Sequence, residues 1–232
     1  MPAELFGIEH ILYIIISTII CGLFVILSYK FTKKESTKVI LLKIVGIILF
    51  ISIMMNRLSQ VFRYSDTRWY LIIPDSYCGM TSLVLSLAVI FGKKNNCVLH
   101  FTWLLGIFGG ISTVIYASFV DQGPTIFYLP TISGLLHHSF SATLVVMLLL
   151  FKQIDITYKK WYYSLFGFTC YLTVGAFLMG VFKMSDAFHI VEPLIPDTVL
   201  TTWVMAPMYA VGYGFILFIV EILKKKKIIN FN

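Results

Sequence analysis

Charge is what this sequence has least of. Only 12% of its 232 residues are Asp, Glu, Lys or Arg, against about a quarter in a soluble domain. With 59% hydrophobic residues and a mean hydropathy of +0.89, a water-soluble fold of this size is excluded, because it has too little polar surface to cover its apolar mass. Cysteine is scarce as well. Cys21, Cys78, Cys97 and Cys170 all fall in or beside apolar runs. They form no CxxC and no metal-ligand spacing, so neither a disulfide framework nor a zinc site is indicated, and no cofactor is implied. GxSxG, HExxH and Walker A patterns are absent. No lysine lies between Lys183 and Lys224, which removes the Schiff-base lysine a retinal protein carries in its last helix. The net charge of +7 does not imply a nucleic-acid partner, because the lysines sit in short clusters between apolar runs.

Long apolar runs dominate instead. A membrane-spanning helix takes about 20 mostly apolar residues. Seven stretches qualify, at approximately 10–29, 39–57, 72–92, 97–118, 131–151, 161–182 and 199–223. The connections are short, so the sequence predicts one all-α domain over 1–232, a seven-helix transmembrane bundle. The first run has acidic residues before it and lysines after it, the reverse of a signal peptide, so it is expected to be retained as a helix. Pro74 is expected in the first turn of the third helix, Pro130 just before the fifth, and Pro207 inside the seventh. Gly106, Gly109 and Gly110 offer a close-packing face on the fourth.

Basic residues set the expected orientation. Lys30, Lys33, Lys34, Lys38 and Lys43 flank the first connection, Lys93 and Lys94 the third, and Lys152, Lys159 and Lys160 the fifth. Lys224, Lys225, Lys226 and Lys227 follow the last run. That is fourteen of the eighteen basic residues on one side. The positive-inside rule then predicts a multi-pass cell-membrane protein with its N-terminus outside and its C-terminus cytoplasmic. Most acidic residues, Glu4, Glu9, Asp66, Asp75 and Asp121 among them, and the histidines His10, His137, His138 and His189 fall toward the other side. Membrane lipids are the expected partners, and nothing in the sequence specifies an oligomeric state.

Ionisable groups within spans are costly and usually face a bundle interior or a wet cavity. The polar candidates here are Asn56 and Arg57 at the end of the second run, Asp75 to Cys78 at the start of the third, and His137 with His138 in the fifth. Counted from the expected helix starts, Cys78 and His137 each lie seven or eight residues in, roughly 10–12 Å deep. A thiol beside an imidazole is the arrangement of cysteine acyl transfer. The other reading makes Cys78 a small packing residue and one of the adjacent histidines an interface residue, since neighbours on a helix point about 100° apart. Arg57 either holds a phosphate or carboxylate or snorkels to headgroups. His10 is a candidate ligand-binding residue with Arg57 and Asn56, although a histidine near the interface needs no special purpose.

The chain resembles the YwaF-like family of bacterial integral membrane proteins, whose eukaryotic relatives are the transmembrane protein 164 group. The resemblance rests on Phe6-Gly7-Ile8-Glu9-His10, on Ile73-Pro74-Asp75-Ser76-Tyr77-Cys78, which looks like the family's Pro-x-His-x-Cys motif, on the glycine-rich fourth run, on Ser133-Gly134-Leu135-Leu136-His137-His138, and on Pro193. It departs at Ser76, where that motif has histidine. The eukaryotic relatives are described as acyltransferases acting on ether phospholipids. The resemblance therefore implies a phospholipid acyltransferase or acyl hydrolase, with Cys78 as nucleophile and His138 or His137 as base, His138 favoured because Gly134 leaves room one turn earlier. Two alternatives stand beside it: a non-enzymatic binding or transport protein for a small anionic or lipid ligand, and an assembly factor without a ligand.

Overall fold

A computed structural model of the chain describes residues 5–63, 68–117, 120 and 123–226. Glu4, Asp66, Asp121 and Lys227 lie outside the described residues. The described residues form seven α-helices: α1 (Ile8–Phe31), α2 (Glu35–Arg63), α3 (Tyr77–Phe91), α4 (Cys97–Ile115), α5 (Leu129–Leu150), α6 (Tyr162–Phe182) and α7 (Thr202–Lys225). Six are long and apolar enough to cross a membrane. The chain is thus a multi-pass, all-α membrane protein, and its helices lie in lipid.

The seventh helix, α3, has 15 residues and a length of about 22 Å, short of the roughly 30 Å hydrocarbon core. It packs along the middle of α2, with Gly79 near Ile53 and Val89 near Gly46. The expected start at residue 72 is corrected here. Residues Trp69–Ile72 form a single 3-10 turn, and the chain stays extended until Ser76. Pro74 is not in a first helical turn but three residues ahead of the helix. Its ring biases Ile73 away from helical backbone, and Ser76 then caps the helix by accepting the Gly79 N–H at 3.2 Å. Pro130, by contrast, lies inside the first turn of α5, where its missing N–H costs nothing. Pro207 lies within α7.

Helices α2, α3, α4 and α5 form the central four, with α1 on α5, α6 on α4, and α7 on α6. Leu49, Leu85, Leu144 and Leu148 fill the middle. The fourth helix comes close on two sides. A Cβ on Gly110 would stand 2.6 Å from the His138 carbonyl, and one on Gly109 would stand 2.8 Å from the Cys78 sulfur.

The connections rich in lysine gather at one end. There the Asn95 N–H donates to the Gln153 carbonyl at 2.9 Å, Gln153 donates to Glu35 at 2.6 Å, and Lys224 pairs with Asp155 at 3.2 Å. The histidines His137 and His138 lie toward the other end, where the apolar packing gives way to polar side chains.

Candidate functional site

The late start of α3 opens the site. No helix runs through residues 73–76, and a side chain from α2 reaches across to this segment and the turn before it. Arg57, 8% exposed, donates from Nε to the Leu71 carbonyl at 2.9 Å and pairs through Nη1 with Asp75 at 3.2 Å. Asp75 in turn anchors the loop before α7, because its carbonyl accepts the Phe188 N–H at 2.7 Å. Asn56, one residue earlier on α2, donates to the Pro130 carbonyl at 3.0 Å and so ties α2 to the first turn of α5.

These groups border a cavity of about 310 Å³. Arg57, Asn56 and Gln60 line it from α2, Asp75 and Ser76 from the segment before α3, and His137 with His138 from α5. Asn56 and Gln60 are four residues apart and share a helix face. Both histidines are buried, and their rings lie 4.1 Å apart between centroids. His137 is held through Nδ1 by the Ser82 hydroxyl at 3.1 Å. The His138 imidazole lies near the Gly109 backbone.

Cys78 is half-buried in the first turn of α3, not two turns in. Its sulfur faces Gly109 and lies near the Thr113 side chain. Cys78 and His138 thus both lie near Gly109 of α4. The sunken start of α3 is what brings the first-turn cysteine level with a histidine two turns into α5. Among the described residues that border the cavity, Cys78 is not one; it lies behind Ser76 and Gly79, on the α4 side.

Gly134 does not leave open room beside His138. Val120 fills that space, its Cγ1 lying 2.5 Å from where a Cβ would stand. His10 stands apart from the cavity. Its Nδ1 accepts the Phe6 N–H at 3.1 Å, so Nε2 carries the proton and donates to the Val114 carbonyl at 2.9 Å. Nε2 docks α1 onto the end of α4, while Nδ1 fixes the ring to the chain just before α1. Ser82 and Gln60 were not among the residues singled out from sequence. Ser82 falls one turn after Cys78 on the same face, and that spacing is the signal that could have found it.

No curated protein and no solved structure matches the chain. The TMEM164 family model matches residues 5–223, which takes in all seven helices up to the last turn of α7 and every residue of the cavity. The chain therefore belongs to the TMEM164 family of membrane proteins.

Proposed function

We propose that this chain is a bacterial, YwaF-like member of its family, set in the cell membrane with the histidine end outside, and that it transfers or hydrolyses phospholipid acyl groups there. One observation carries the reading: Cys78 and His138, from two helices, converge on Gly109 beside a polar cavity in an otherwise apolar bundle. The Cys78 sulfur attacks the carbonyl carbon of an acyl ester, and the thiol proton passes to His138. The ester C–O bond breaks, and the leaving oxygen takes the proton back from the imidazole. The thioester left on Cys78 then passes its acyl group to an acceptor hydroxyl or to water. Arg57 has five N–H donors, of which two are engaged by Leu71 and Asp75, so it retains donors for a phosphate or for the ester's glycerol oxygens. His137, fixed by Ser82, orients the same ligand.

A specific observation favours a second reading. Cys78 is not on the cavity wall, and Ser76, standing where the family motif has histidine, serves as the α3 cap. On this reading the cavity binds a small anion or a lipid headgroup through Asn56, Arg57 and the histidines, without chemistry. Lipid profiles of cells carrying the intact protein, a Cys78→Ala version or no protein separate the two. Acyl chemistry predicts that Cys78→Ala matches the deletion. If Cys78→Ala matches the intact protein while the deletion differs, binding alone accounts for the phenotype.

A further inference from the structure

The lysine end of the bundle carries a second cavity, about 300 Å³, between α2, the end of α3 and the start of α4. Three lysines border it: Lys43 on α2, and Lys93 and Lys94 in the α3–α4 connection. Lys43 sits about 12 Å along α2, beside Ile40, Ile44 and Ile47, all exposed on the lipid side. An ammonium among lipid-facing isoleucines must either extend to the headgroup level or meet a counter-charge. Lys93 and Lys94 approach the same cavity from the connection. Among the described residues none of the three makes an ion pair. Glu35, the acid that bears on Lys94 electrostatically, is already held by Lys38 at 3.2 Å and by Gln153 at 2.6 Å.

Lys43, Lys93 and Lys94 are all exposed, and three like charges around one cavity mouth repel one another. An anion seated between them relieves it. The walls decide which anion. Leu42, Val89 and Leu148 are buried apolar side chains at the inner side of the same cavity. They offer nothing to a hydrated free phosphate, but they fit the glycerol and first methylenes of a lipid whose phosphate lies among the lysines. Basic pockets between transmembrane helices bind anionic headgroups in this way.

We infer that the crevice between α2 and the α3–α4 connection is a binding site for an anionic phospholipid, with its phosphate held by Lys43, Lys93 and Lys94. The site lies at the end of the bundle opposite His137 and His138 and stands whether or not the proposed acyl chemistry does.

Native mass spectrometry of the full chain, titrated with phosphatidylglycerol or phosphatidylcholine, tests it. The variant K43Q/K93Q/K94Q is compared with K159Q/K225Q/K226Q, which removes the same charge from exposed lysines elsewhere at this end. A lysine near an anionic surface is worth about fivefold in affinity, so the cavity variant should weaken phosphatidylglycerol binding on the order of a hundredfold and the control variant far less. Should the triple variant not fold, Lys43→Gln alone should lose about fivefold, and Lys43→Arg should retain binding. Three results would overturn the assignment: equal loss in both triple variants, which marks general surface charge; equal binding of the two lipids; or saturation by inorganic phosphate of protein held in phosphatidylcholine nanodiscs, which marks a free-anion site.

Discussion

Arg57 and Asp75 are paired at 3.2 Å across the gap that the late start of α3 leaves beside α2. The pair closes that gap, and the Leu71 carbonyl, which has no helical partner, hangs on the same guanidinium at 2.9 Å. Arg57→Ala removes both contacts and leaves a carboxylate and a carbonyl without their partner. The expected cost is about 2–3 kcal/mol, at the lower end for a buried pair because Asp75 is partly exposed. Arg57→Lys keeps the charge but loses the fork that reaches two oxygens at once, and should recover less than half of that. Thermal unfolding in nanodiscs reads both values. A Tm for Arg57→Ala equal to that of the unmodified chain would show the pair to be structurally idle.

Ser82 gives His137 its orientation, not its chemistry. Ser82→Ala leaves Nδ1 without its hydroxyl and frees the ring to turn within the cavity. Loss of one buried hydrogen bond predicts a change of about 1 kcal/mol in stability, while ligand affinity at the cavity should fall more steeply. Ser82→Thr keeps the hydroxyl and should preserve affinity. Titration of a phosphatidylglycerol headgroup analogue, monitored at the imidazole nitrogens by NMR, separates positioning from mere packing, since a packing role predicts unchanged imidazole signals.

The two glycines of α4 predict different outcomes. A methyl on Gly110 would meet the His138 carbonyl at 2.6 Å, and backbone does not yield cheaply. Gly110→Ala should therefore cost about 1–3 kcal/mol and displace α5 with both histidines. A methyl on Gly109 would meet the Cys78 sulfur at 2.8 Å, the end of a side chain that can rotate. Gly109→Ala should fold nearly as well yet change the alkylation rate of Cys78 relative to Cys21, Cys97 and Cys170. Equal stability of the two variants would contradict the assignment of these faces.

His10 is a docking residue of α1. His10→Ala removes the bonds to Phe6 and Val114 and should cost about 1–2 kcal/mol, by leaving the Val114 carbonyl unsatisfied. Binding and turnover at the cavity, measured on the folded fraction, should be unchanged. Loss of ligand affinity without loss of stability would return His10 to the site.

The membrane class and the helix count were legible because twenty apolar residues in a row have few other uses. Arg57 and the two histidines were legible for the complementary reason that ionisable groups inside such runs demand an explanation. The start of α3 was not, because apolar Leu71, Ile72 and Ile73 continue the hydropathy pattern that Pro74 and Ser76 interrupt. Backbone chemistry, not hydrophobicity, decided that boundary. Depth was readable by counting, but azimuth was not. His10 lies toward the same end as the cavity yet faces Val114, and Cys78 faces Gly109 where its neighbours Ser76 and Gly79 face the cavity. The lysine sidedness of the sequence has its counterpart in the gathering of Glu35, Asn95, Gln153, Asp155 and Lys224 at one end.

The central claim is that Cys78 carries an acyl group in the course of the reaction. Intact-protein mass spectrometry after brief exposure to a phospholipid with a tagged acyl chain tests it directly. The account predicts one added acyl mass, mapped to Cys78, released by hydroxylamine, absent in Cys78→Ser and formed much more slowly in His138→Ala. An unlabelled Cys78 under conditions in which the protein alters its lipid substrate, or a label formed equally fast without His138, would contradict it.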